Sequence, residues 1–201
     1  MNQAAKRAIV MLGIGLVVIV CAAALIYLLR ADAGFYQPAS CGHAPLRWNK
    51  ADIPVAVWLS EEDRDLEGDV KEAIKFWTPY FTWGGVVPPD WSTGNAGAKV
   101  VHVRSMQLQD IRPHGSTNWR HTEDEKCEIG RADIRIPMPL LHGKVRTCVV
   151  RHEFGHALGL GHDSSEDSVM HEFRDGKFGC VIMPDDAELL RGTYGKVQAE
   201  D

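Results

Sequence analysis

Apolar residues run from Ala8 to Leu29 without a single charge among them. About twenty such residues cross a hydrocarbon core as a helix, so the run predicts one transmembrane segment over 8–29 behind a short N-terminus at 1–7. Lys6 and Arg7 stand before it, while Arg30 and Asp32 cancel after it. The positive-inside bias then keeps the N-terminus in the cytoplasm and exports everything downstream, to a periplasmic or extracellular position. A cleaved signal peptide is the alternative, with Ala31-Asp32-Ala33 as its small-residue site and a secreted product. The run is longer than a usual signal core, which favours the uncleaved anchor. Over 30–47, Pro, Gly and small polar residues break any period, as in a tether. Residues 48–201 remain for one domain with a core of its own.

Within that domain the pattern changes period several times. Ile53 to Leu59 is β-branched and apolar, a strand with Pro54 near its start. Ser60 and the acidic Glu61, Glu62 and Asp63 open a helix in which Leu66, Val70, Ala73, Ile74 and Trp77 form one stripe, and Pro79 ends it. The segment 82–98 is rich in turn formers and predicts a long loop. Lys99 to Arg104 alternates as a strand, with His102 a packed or exposed strand residue, and 107–130 is polar and irregular. Ala132 to Pro137 is a further strand. Pro137 and Pro139 remove backbone donors, which places it at an edge of the sheet. Val145 to Leu158 predicts a helix burying Val145, Cys148 and Val149, with Arg146 and Arg151 toward solvent. A last helix starts at Pro184 with Asp185 and Asp186 and stops at Gly195. The pattern alone gives mixed α and β.

Charge removes one class of partner. With a net charge of -5 and no basic cluster, the chain gives no reason to expect nucleic-acid binding. Cys21 falls inside the apolar run, leaving Cys41, Cys127, Cys148 and Cys180 as an even set. In an oxidising compartment these predict two disulfides, in any of three connectivities.

The chemistry concentrates at His152-Glu153-Phe154-Gly155-His156-Ala157-Leu158-Gly159-Leu160-Gly161-His162, an H-E-x-x-H-x-x-G-x-x-H stretch. Four residues apart on a helix, His152 and His156 leave one face and can hold one Zn2+ ion. Glu153 projects beside that ion as a general base for a water at the open fourth position. Gly159 tolerates the positive φ with which the chain must leave the helix for His162 to return as the third ligand. Three imidazoles and an open position distinguish a catalytic zinc site from a structural one. Asp163, directly after the third ligand, can orient His162, and the acidic run through Asp167 is a solvated loop.

Together with Ser168-Val169-Met170 downstream, this stretch resembles the metzincin zinc peptidases, and most of all their matrixin-like branch. The strand-then-helix opening with Ala73-Ile74 and Phe76-Trp77, the Ala132-Asp133-Ile134-Arg135-Ile136 strand and the Asp185-Asp186 closing helix are similar to matrixins too. The resemblance implies an α+β metzincin-like zincin fold: a twisted mixed sheet with two main helices, and a small irregular C-terminal half ending in a helix. It implies that Met170 lies in a tight turn as an apolar floor beneath the imidazoles, with Met183 the second candidate, so Gly159 and Met170 support the site. Glu172 stands where astacin-like and serralysin-like enzymes carry a tyrosine ligand, so no tyrosine should reach the metal. Matrixins insert a metal-bound loop before the active helix, whereas the approach from Ile136 to Val145 is short here. A Ca2+ ion or a second, structural Zn2+ is therefore unsupported, with only His114 and His121 and the acidic Asp110, Glu123 or Asp124 on offer. Cys41-Gly42-His43-Ala44-Pro45 is similar to a latency segment in its cysteine alone, and a disulfide is the preferred use of Cys41. The implied activity is a zinc metalloendopeptidase acting on peptides or proteins outside the cytoplasm. The alternative is a catalytically inactive zinc-binding surface or adhesion module.

Overall fold

A computed structural model of the chain describes residues 40–41, 44–89, 99–106, 115–121, 127–138, 141–172 and 179–195. The chain divides into Met1–Phe35 and Tyr36–Asp201, and every described residue belongs to the second unit. The apolar run 8–29 lies outside the described residues, and among the described residues no helix is long and apolar enough to cross a membrane.

Two short strands, β1 (Ser40–Cys41) and β2 (Ala44–Pro45), pair antiparallel just before the expected start of the domain. Leu46 is already buried, and Arg47 exchanges backbone bonds with Cys127 and Ile129 (3.1 and 2.8 Å). The packed body therefore takes in residues read from composition as part of the tether.

The main sheet has five strands. β3 (Val55–Leu59) and β5 (Val100–Ser105) arise where predicted, because alternate β-branched residues of each can face one core. β4 (Trp83–Val87), β6 (Ser116–His121) and β7 (Ile129–Ile136) complete the order β4-β3-β5-β7-β6. The first four run parallel and β6 is antiparallel to β7, pairing Thr117 with Ile134 and Trp119 with Ala132.

Three sequence-based expectations are corrected here. The turn-rich start of 82–98 is a strand, since β4 is an edge whose two glycines face a neighbour on one side only. Gly84 also needs its missing side chain: a Cβ would stand 3.2 Å from the backbone of Ala56. The strand expected at an edge, β7, lies inside the sheet between β5 and β6. Pro137 falls after its last paired residue, Ile136, and so costs the ladder nothing. Among the described residues the sheet ends at β4 on one side and at β6 on the other, and β6 comes from the segment that read as irregular.

A 3-10 stretch, Glu61–Leu66, leads into α1 (Glu67–Trp77), and Ser60 Oγ donates to Asp63 Oδ2 at 2.6 Å at its entry. Leu66, Val70, Ala73 and Trp77 are buried as the stripe predicted. They meet Val149, Val150 and Phe154 of α2 (Gly143–Ala157) and the inner face of the sheet, Val57, Val101 and Ile134, in one core. Each such side chain taken out of water contributes roughly 1.5–3 kcal/mol before the entropy of ordering it. On α2 the expected orientation is reversed at one turn. Val145 is 37% exposed, while Arg146 turns inward and donates to Asp69 Oδ2 at 2.6 Å. The cause is Asp69 on α1, a nearly buried carboxylate that also accepts from Thr147 Oγ1 at 2.6 Å. Arg151 lies over the Phe76 ring, 4.6 Å from its centroid, instead of pointing to solvent.

The chain closes with α3 (Pro184–Tyr194), and Gly195 follows at φ +85. A disulfide joins Cys148 on α2 to Cys180, with Cα atoms 5.5 Å apart, and Cys127 is also disulfide-bonded.

Candidate metal centre

The active-site stretch occupies the end of α2, where the last carbonyls of any helix lack intrahelical donors. Here they are satisfied one by one. Trp119 Nε1 donates to His156 O at 2.9 Å, Trp48 Nε1 to Ala157 O at 2.8 Å, and Tyr194 Oη to Leu158 O at 2.9 Å. Strand β6, the entry segment and the closing helix thus all fasten the same helix end. Gly159 follows at φ +89, with its N–H on His156 O (2.8 Å) and that of Leu160 on Gly155 O (3.1 Å). This is a Schellman turn, and it reverses the chain toward His162. A Cβ at Gly159 would also collide with Leu46 O.

The turn brings the three histidines together. One ligand atom from each of His152, His156 and His162 falls within 4.8 Å of the others, the one such His, Cys, Asp or Glu group among the described residues. Their tautomers follow from their partners. His152 Nδ1 lies 2.7 Å from Val169 O and His156 Nδ1 2.8 Å from Leu160 O. A carbonyl only accepts, so both Nδ1 atoms carry the proton and both Nε2 atoms present lone pairs. Burial pushes His156 down to about 4, with the neighbouring His162 adding to the fall and the Leu160 bond opposing it. The ring is therefore neutral, as a ligand must be.

Spacing gives a further test of fit for zinc. His156 Nε2 and His162 Nε2 are 3.2 Å apart. Two nitrogens at about 2.0–2.1 Å from one ion, at a tetrahedral angle, stand roughly 3.3 Å apart. The donor set and its spacing both suit the ion.

Glu153 lies on the same helix turn, fully desolvated. Its Oε2 accepts from Thr117 Oγ1 on β6 at 2.6 Å. Burial pushes this carboxyl up to about 8, against the opposing pull of the Thr117 bond. Beneath the histidines runs the Ser168-Val169-Met170 turn. Met170 is fully buried, and a Cβ at Gly155 would meet its Sδ. Met183 is only half-buried and sits at the N-cap of α3. Ser168 Oγ accepts from Met170 N at 2.9 Å, and Val169 N donates to Val181 O at 2.7 Å. Asp186 closes this turn from α3, its Oδ2 3.4 Å from Ser168 Oγ and its Oδ1 without a partner. Burial, then the Asp163 charge, push its carboxyl up to about 6.

Other residues singled out from the sequence stand elsewhere. Asp163 Oδ1 accepts from Ser165 N at 2.8 Å, tying the acidic loop to itself. His102 is buried on β5 beside Arg131 (2.9 Å) and Asp133, in an ion-paired cluster of the sheet. His114, Asp110, Glu123 and Asp124 lie outside the described residues, as does the side chain of His121. Thr117, Trp119 and Gly115 were not found from the sequence. Ser116 to His121 carries no apolar alternation, and only the pairing with β7 sets Thr117 and Trp119 toward α2.

The sequence profile of the matrixin peptidases (Peptidase M10, Matrixin) matches residues 94–195, more than half of the chain, from just before β5 to the end of α3. The chain belongs to the matrixin family. This matrixin is 46% identical over 52 residues to matrix metalloproteinase-25 of Homo sapiens, covering 24% of this chain and 9% of that protein. It is 23% identical over 154 residues to matrix metalloproteinase-17 of Homo sapiens, covering 68% of this chain and 24% of that protein. The chain thus spans a quarter or less of the length of these relatives. As a matrixin it belongs with zinc metallopeptidases, and its mixed sheet with packed helices is the α+β arrangement expected of them.

Proposed function

We propose that this matrixin is a zinc-dependent endopeptidase, with His152, His156 and His162 holding the metal and Glu153 as general base. The observation that carries the reading is the convergence of the three imidazoles beside a buried, hydrogen-bonded carboxylate. A zinc ion on these nitrogens supplies Lewis acidity, lowering the pKa of a water toward neutrality and polarising the scissile carbonyl. Glu153 takes the proton of the attacking water and then hands it to the leaving amine, so one carboxyl serves both halves of the hydrolysis. Gly159 and Met170 support the centre, the first by turning the chain to His162 and the second by filling the space beneath the ligand helix. Among the described residues no strand pairs with the outer side of β6, so this edge next to the centre can take an extended peptide or protein substrate. The apolar run over 8–29 tethers this domain, 48–201, to a membrane from the exported side. An inactive binding module has no use for a buried carboxylate at Glu153, which argues for the enzyme.

The test is cleavage of a peptide library or casein by the full chain, with and without a zinc chelator. Chelation should abolish cleavage, and added zinc should restore it. Glu153→Ala should retain about one zinc per chain and lose at least about 100-fold in kcat. Cleavage that survives both treatments would refute the assignment.

A further inference from the structure

Strand β6 does more than border the centre, because it touches the carboxylate itself. Thr117 Oγ1 lies 2.6 Å from Glu153 Oε2 and 3.1 Å from the backbone oxygen of the same residue. Both are acceptors, and a hydroxyl has one proton to give. The shorter bond, to the carboxyl oxygen, takes it. The terminal torsion of a glutamate is broad, so an unpartnered carboxylate turns freely, whereas a β-branched threonine has a stiff χ1. The threonine therefore fixes the carboxylate and not the reverse.

Two residues earlier the same chain segment closes from the other side. A Cβ at Gly115 would stand 2.5 Å from Glu153 Oε1 and 2.6 Å from its Cγ. The segment can lie this close only as glycine. Gly115 and Thr117 thus bracket the carboxylate, one by the room its missing side chain leaves and the other by a directed hydrogen bond.

We propose that Thr117 is a positioning residue for Glu153, its hydroxyl holding the carboxylate, against the gap at Gly115, in the orientation from which the proton transfers run. The proposal rests on the reading of Glu153 as general base. It ties catalysis to the strand on which the substrate lies, so the base and the bound peptide share one frame.

The experiment compares Thr117→Val, which keeps the shape and removes the hydroxyl, with Thr117→Ser, which keeps the hydroxyl, in the full chain. Thr117→Val should lower kcat about 10- to 100-fold with KM within about two-fold and zinc content unchanged. Thr117→Ser should recover to within about three-fold of the parent. Gly115→Ala, with Thr117 intact, should reproduce the loss in kcat by displacing Oε1. A crystal structure of each zinc-loaded variant supplies a readout independent of activity. The Glu153 carboxylate should keep its orientation in Thr117→Ser and rotate in Thr117→Val. Equal kcat in Thr117→Val and the parent, equal damage in the Val and Ser variants, or an unmoved carboxylate in Thr117→Val overturns the positioning role. A parent chain without peptidase activity refutes the proposed function instead, and the crystal structures still decide for or against the role of Thr117.

Discussion

Gly155 lies between two histidines in the last turn of α2, still a helical position where alanine ought to be an improvement. Replacing glycine by alanine in a helix interior gains about 1 kcal/mol from propensity alone. Here the sign should invert. A Cβ at Gly155 would collide with Met170 Sδ and come within 3.0 Å of Trp77 Cζ2. Trp77 cannot retreat, because it is fully buried and its Nε1 donates to Arg151 O at 2.9 Å. Met170 must therefore give way, and forcing atoms into a packed core costs typically 1–3 kcal/mol. With so direct a collision at the upper end of that range, Gly155→Ala nets about 2 kcal/mol of destabilisation. For a domain of this size that lowers Tm by about 4–8 °C. Met170→Ala alone should cost about 2–5 kcal/mol as a cavity. In that background the collision with Sδ is gone and only the 3.0 Å approach to Trp77 remains, so Gly155→Ala should cost clearly less there than in the parent. Thermal melts and chemical denaturation of the two single variants and the double variant complete the cycle. If Gly155→Ala stabilises both backgrounds alike, the packing of Met170 beneath the ligand helix is wrong.

Three further outcomes follow from the structure. Met183→Ala should cost less than about 1 kcal/mol in the same denaturation assay, in contrast to Met170→Ala, since Met183 is half-buried at a helix N-cap. Asp186, held near 6 when folded, binds its proton more tightly than the unfolded chain does, so its own contribution to stability should fall as pH rises from about 4 to about 6 and stay lower above. Asp186→Asn should gain on the wild type across that window by up to about 3 kcal/mol, and a difference that is flat with pH would count against the raised pKa of the buried carboxyl. Replacing Cys148 and Cys180 by serine opens a closure of 32 residues, which should cost about 3–4 kcal/mol and be visible as a lower Tm under non-reducing conditions.

Much of the centre was legible because its chemistry is local in sequence. The spacing of His152 and His156 is a helix period, and Gly159 at φ +89 is the turn that the motif required. Met170 was singled out through the matrixin resemblance, and it packs fully buried against Gly155 of α2. The edge of the sheet was not legible, and the reason is physical. Pro137 signals the end of a strand, and whether that strand is central depends on which neighbour arrives, which its own sequence does not encode. Ser116 to His121 has a mixed pattern because its inner face meets the polar end of α2, where Thr117 and Trp119 donate hydrogen bonds, and not an apolar core. Arg146 likewise looked solvent-facing until Asp69, from another helix, supplied a nearly buried partner. In each case the deciding contact joins residues far apart in the chain.

The Cys148–Cys180 bond has a topological meaning as well as an energetic one. The ring it closes contains His152, His156, His162 and Met170, along with the acidic loop from Asp163 to Asp167. Any protease that meets the chain is liable to nick it at such a loop. A single cut there would break the backbone between the last histidine and Met170, yet the two pieces would remain one covalent molecule with all three imidazoles on the same fragment. Nicked protein should migrate intact on a non-reducing gel and fall into two bands only after reduction, so damage to the most exposed turn of the centre need not scatter its parts.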